Sequence, residues 1–190
     1  LNNSNGADQI RQKESRNLLG YISSIEKQHM LGKKEAAFKA GIQARYDATK
    51  NSELSNTKDR DILLAPIMKG DINELNTGLF AEEKLALLKS LDITAGLRWD
   101  FFSNKYNDHL AGNVLKSHSS LVSPRFNINY RVNKNIQLYW FNGQGFHSND
   151  TRVAVQQSGK EVVTPAWGSD IGGIFKLHYK LIFQTAFWYL

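Results

Sequence analysis

Three residue types that perform hydrolytic chemistry, His147, Ser148 and Asp150, fall within a few positions of one another in the run GFHSND at 145–150. A catalytic triad lines up a nucleophile, a base and an orienting acid, and it draws them from segments distant in the chain. Near neighbours on one extended run cannot form that line. The cluster therefore reads as a strand end ordered by local side-chain hydrogen bonds, and no catalytic residue is assigned. Asp108, His109 and His118 match no metal-ligand spacing, and the chain has no Cys to supply a thiolate. The reading is of a protein that is not an enzyme, with no cofactor and no metal.

Charged and amide side chains at every second position are more informative. Between Arg125 and Val132, Phe126, Ile128, Tyr130 and Val132 alternate with Arg125, Asn127, Asn129 and Arg131, the period of a β-strand with one apolar and one polar face. Asn133, Lys134 and Asn135 suit a tight turn, after which Ile136, Leu138 and Trp140 resume the alternation, so the stretch predicts an antiparallel hairpin. The cleanest alternation sets Leu91, Ile93, Ala95, Leu97, Trp99 and Phe101 against Asp92, Thr94, Gly96, Arg98 and Asp100. Similar runs are expected at Asn17 to Lys27, Ala36 to Tyr46, Ile72 to Leu87, Asp170 to Tyr179 and Leu181 onward. Residues Leu1 to Arg16 read as loop. The whole is an all-β, antiparallel up-and-down meander of about eight strands, joined alternately by short turns and by long polar loops at Asp47 to Asp71, Ser103 to Ser120 and His147 to Trp167.

Composition limits what such a sheet can be. Hydrophobic content of 41% with 11% aromatics excludes a disordered chain. The net charge of +6 is scattered, with no basic stripe for nucleic acid. No apolar run reaches the length of a membrane helix, but a membrane barrel spreads its apolar surface over alternate residues and needs none. Short turns at one end, long loops at the other, strands of about 10 to 14 residues and aromatics at strand ends (Trp99, Phe101, Tyr130, Tyr139 to Phe141, Phe187 to Tyr189) all fit a partial segment of a large transmembrane β-barrel. The alternative is a soluble or surface-exposed β-sheet binding module. In a barrel the apolar face meets lipid, and Arg98, Asp100, Arg125, Asn127, Asn129 and Arg131 face the water-filled lumen.

Four blocks in order, AGLRWDFF (95–102), SPRFNINYR (123–131), GQGFHSND (143–150) and AFWYL (186–190), resemble the barrel domain of TonB-dependent outer-membrane receptors. The resemblance covers about residues 36–190, and GFHSND is its most specific part. It implies TonB-dependent uptake of a scarce solute such as a siderophore across the outer membrane of a Gram-negative bacterium. The implied partners are outer-membrane lipid, a transported small-molecule ligand and the TonB system, the last acting through a plug domain. Residues 1–190 would be a fragment of the barrel, with the plug and remaining strands elsewhere, since a barrel of such transporters has about 22 strands. The outer loops, with His147 and Asp150 at the exit from the barrel, become ligand-path candidates, and Asn133 to Asn135 becomes a periplasmic turn.

Overall fold

Period two extends into hydrogen-bonded strands throughout the computed structural model of the chain, which describes residues 9–59, 62–156 and 162–190. The strands are β1 (Gln9–Leu31), β2 (Lys34–Lys58), β3 (Ile62–Leu88), β4 (Leu91–Asp108), β5 (Asn113–Asn133), β6 (Ile136–Ser148), β7 (Val163–His178) and β8 (Leu181–Tyr189); a short helix, α1 (Thr151–Gln156), lies between β6 and β7. Each strand pairs antiparallel with the next in chain order, giving one meander that curves as a half-barrel. The expected hairpin is present. Phe126 packs edge-on against Trp140 on its apolar face, ring centroids 6.2 Å apart, and the Asn135 backbone N–H donates to Asn133 Oδ1 at 2.8 Å to close the turn.

Two expected loops are strand instead. Residues 47–58 and 62–71 continue β2 and β3, 103–108 and 113–120 continue β4 and β5, and 9–16, read as loop, belong to β1. Strands consequently reach 27 residues in β3, not about 10 to 14. Hydrophobic alternation fades over these extensions because many of their buried side chains are themselves polar, as at Ser52, Ser55, Thr57 and Asn104, whereas backbone pairing needs no alternation. The one bulge there with a strained backbone is at Asn51 (φ 51°), where the β2–β3 register shifts between Thr49 and Ser52. Of the third expected loop, His147 to Trp167, residues 147–148 end β6, 151–156 form α1 and 163–167 begin β7.

Burial is inverted relative to a water-soluble domain. Asp47, Asp92, Asp100 and Asn104 are buried at 2%, 6%, 0% and 5% exposure, while Leu97, Ile171 and Phe187 are exposed at 54%, 57% and 75%. These four polar residues lie on one face and these three apolar ones on the other; on the outermost strands apolar side chains are exposed on the polar face as well, as at Leu18 opposite Asp47, Ile22 opposite Gln43 and Trp188 opposite Asp170. One expected cluster divides between the faces: Trp140 lies on the apolar face opposite Ile128 and Ile171, whereas Tyr139, paired with Asn129, lies on the polar face and stacks on Phe141 at 4.7 Å. Only Trp140 of the three can belong to an aromatic belt on the outside.

Candidate ligand-facing surface on the inner wall

Long side chains on the polar face reach across whole strands. Arg98 on β4 donates twice to Asp100, at 2.7 Å each, and its Nη1 donates to Gln43 Oε1 on β2 at 2.8 Å. Arg125 on β5 makes an ion pair with Glu82 on β3. Each guanidinium crosses an intervening strand at a glycine. A Cβ at Gly78 of β3 would fall within the Arg98 guanidinium, and one at Gly96 of β4 would lie 3.0 Å from both Arg125 Nε and Glu82 Cβ. These glycines serve as saddles, because any side chain there fills the path of the crossing arginine. Gly96→Ala is therefore expected to destabilise the sheet by about 1–3 kcal/mol through overpacking, read as a lower midpoint in urea unfolding of the full-length protein. In an Arg125→Ala background the same substitution should cost less, since the guanidinium is gone and only the Glu82 Cβ contact remains.

Lower on the same face, Arg131 donates to Asp92 Oδ2 at 3.1 Å and to the Lys89 carbonyl at 3.0 Å, and Lys84 Nζ lies 3.5 Å from the same Asp92 oxygen. Asn129 accepts from Gln137 at 3.4 Å, and Asn127 stands opposite Thr94. The structure thus brings Arg98, Asp100, Arg125, Asn127, Asn129 and Arg131 onto one face. Arg98 and Arg125 share a recess of about 360 Å³ with Lys39, Gln43, Phe80, Glu82, Ser123 and Gln144. His147 and Asp150 stand apart from it: His147 is exposed at the end of β6, and Asp150 pairs with Arg152 at 2.6 Å.

Toward the loop end, the β6–β7 connection folds back onto the polar face. Thr151 at the start of α1 accepts from Asn104 Nδ2 at 2.8 Å and donates to Glu74, and Arg152 reaches Ser52 Oγ at 3.3 Å. Phe102 packs with Val162 and Val163, with Leu121 and Phe146 against them, and the Phe102 and Phe146 rings meet edge to face at 5.2 Å. Beneath this roof a polar cavity of about 210 Å³ is lined by Arg16, Arg45, Asp47, Glu74, Asn104, Ser148 and Asn149. There Asp47 receives two bonds from Arg16, at 2.7 and 2.5 Å, and one from Arg45 at 3.1 Å. Sequence reasoning missed Gln43, Glu82, Gln144, Thr151 and Arg152. The only signal for Gln43 and Glu82 was their shared parity with the arginine strands. Among the described residues no group of three or more His, Cys, Asp or Glu could hold a metal ion.

Beyond the apolar band, Asp71 secures the bulge. Its Oδ1 accepts the Asn51 backbone N–H at 2.9 Å and its Oδ2 lies 3.1 Å from His109 Nε2. The backbone bond, with a smaller contribution from His109, holds the Asp71 carboxyl below its ordinary value of 3.8. A carboxylate depressed on folding adds stability that is complete above the unfolded value and lost as pH falls through the folded one. Protection of the Asn51 amide, taken relative to its intrinsic exchange rate, should accordingly fall below about pH 4, and Asp71→Ala should remove it at neutral pH as well.

Comparison with known proteins agrees with this architecture. A family model described as "TonB dependent receptor-like, beta-barrel" matches residues 2–166. No curated protein sequence matches the chain. Among solved structures, the unliganded ferric citrate transporter FecA superposes with a TM-score of 0.75 at 16% identity, over 87% of this chain and 26% of FecA. The ferric-catecholate import receptor Fiu from K12 E. coli gives 0.71 at 13% identity, over 93% of this chain and 31% of Fiu. The ferric yersiniabactin uptake receptor FyuA from Yersinia pestis gives 0.59 at 16%, over 94% and 29%. At these identities the likeness is one of fold, and the chain spans less than a third of each protein's length. The family match covers most of the chain and includes three of the four sequence blocks, AFWYL lying beyond it: the chain belongs to the TonB-dependent receptor-like β-barrel family.

Proposed function

We propose that the chain forms part of the barrel wall of a receptor in the outer membrane of a Gram-negative bacterium, which takes up a scarce solute such as a siderophore by TonB-dependent movement of a plug domain. The observation that carries this reading is the inverted sheet, with paired carboxylates buried on the polar face and large apolar side chains exposed on the other. Iron-carrier uptake is supported by the three structural neighbours, whose ligands are ferric citrate, ferric yersiniabactin and a ferric catecholate. The family is one of receptors and transporters, not an enzyme class.

In this reading β1 and β8 are not sheet edges in the assembled receptor, but pair with further strands, and a plug contributed by the rest of the protein occupies the concave side. Arg98, Asp100, Arg125, Asn127, Asn129 and Arg131 hydrate the lumen and hold the plug. The loop end, with His147, Asp150 and the roof built by α1, meets the solute first. The test is uptake of iron-labelled siderophores by iron-starved cells with and without the full-length gene. Accumulation that needs both this gene and an energised TonB system is expected; uptake unchanged by deleting the gene, together with recovery of the protein in the soluble fraction, would overturn the proposal.

A further inference from the structure

All four two-residue turns lie at one end of the sheet, and each contributes a lysine: Gly32–Lys33, Lys89–Ser90, Lys134–Asn135 and Tyr179–Lys180. No turn pair contains an acidic residue, and Lys34 adds a second cation at the first turn. All four turn lysines are exposed. The lysine ion pairs among the described residues are Lys69 with Glu53 and Lys84 with Asp92, so none of the turn lysines is neutralised by a carboxylate. Connections at the opposite end are different: 59–61 reads Asp-Arg-Asp, 109–112 reads His-Leu-Ala-Gly, and 149–162 sets Arg152 and Lys160 against Asp150 and Glu161. Cationic turns without an acidic residue are thus a property of one end of the sheet and not of its connections in general.

The surroundings identify the partner. Leu31, Leu88 and Leu181 flank three of these turns, each at 54% exposure, and Tyr179 lies within the last at 82%, so at these turns an apolar band ends where the lysines begin. Successive hairpin turns are two strands apart, about 10 Å, roughly one Debye length. Each ammonium can therefore take its own anion with little repulsion from the next. A lysine at the border of an apolar band lays its stem along hydrocarbon and sends its charge to the headgroup layer. Lys180 is already turned over its neighbour, 5.2 Å from the Tyr179 ring centre.

We infer that the four turns form a cationic rim that binds the phosphates of anionic lipid headgroups in the leaflet nearest that end, fixing the depth of the wall in the membrane. This rests on the membrane-barrel reading above. The rim is tested with the full-length receptor in vesicles of phosphatidylcholine alone or with phosphatidylglycerol added, following the midpoint of heat-induced unfolding by gel mobility. Phosphatidylglycerol should raise the midpoint, and salt should remove the rise, since each lysine near an anionic surface contributes about a fivefold bias. Combined Lys33→Gln, Lys89→Gln, Lys134→Gln and Lys180→Gln should abolish the rise and leave the midpoint in phosphatidylcholine unchanged; the corresponding four Lys→Arg changes should keep it. The same rise in the glutamine variant, or none in the wild-type inserted receptor, overturns the rim alone. An equal rise on adding inorganic phosphate to phosphatidylcholine vesicles would show a site for free anions and overturn the lipid assignment. A wild-type receptor that fails to enter vesicles overturns the membrane reading and the rim with it.

Discussion

Arg98→Ala is expected to destabilise the wall by about 3–5 kcal/mol, the cost of stranding a buried charge. Asp100 has no exposed surface, and its two oxygens take both of their strong bonds from this one guanidinium. Removing Arg98 leaves the buried Asp100 carboxylate without its guanidinium partner, and also leaves Gln43 without its donor. Urea unfolding of the full-length receptor in detergent checks the size of the loss. The control is Arg98→Ala with Asp100→Ala, which should recover much of it, because a pair replaced by apolar groups leaves nothing unpaired. If the double variant is as unstable as the sum of the two single ones, the carboxylate is not the source of the cost.

Leu97→Arg, one residue away, should do comparable harm for the opposite reason. Leu97 is 54% exposed on the apolar face, and an arginine at the lipid face of a barrel costs about 2–4 kcal/mol near the midplane, falling toward the interfaces. The same substitution on a water-soluble sheet would cost almost nothing at a half-exposed site. Loss of heat-modifiable migration in Leu97→Arg, with Thr94→Arg on the polar face tolerated better, is the expected pattern.

Adjacent residues with opposite penalties summarise what the amino-acid order reveals. Two-faced strands such as 91–101 and 125–132 are legible because an apolar face and a polar face impose different side chains on alternate positions. The four tight turns are legible through residues such as Gly32, in the left-handed region at φ 63°. What stands outside the apolar band was not: 47–58 and 103–108 look like loop, yet remain in the sheet, because many of their buried positions are filled by polar side chains such as Ser52, Ser55 and Asn104 and leave no apolar period. The crossing of Arg98 over Gly78 to Gln43 joins residues 55 positions apart, and such a contact follows from register, which no single strand discloses. Nor does GFHSND announce that the chain beyond it turns inward, placing Thr151 on Asn104 and Glu74. That needs the curvature which brings β3, β4 and β6 within reach of one another.

The central claim is that one face of this sheet meets lipid and the other water. Because residues 1–190 contain no Cys, single cysteines can be placed along β4 and β5 of the full-length receptor, once any cysteines elsewhere are replaced, and spin-labelled in lipid vesicles. Labels at Ile93, Ala95 and Leu97 should collide freely with oxygen dissolved in the hydrocarbon and be shielded from a water-soluble nickel chelate, while labels at Thr94 and, on the adjoining strand β5, at Asn127 and Asn129 should show the reverse. Chelate accessibility at every position, or an apolar face shielded from both reagents by a second layer of protein, would contradict it.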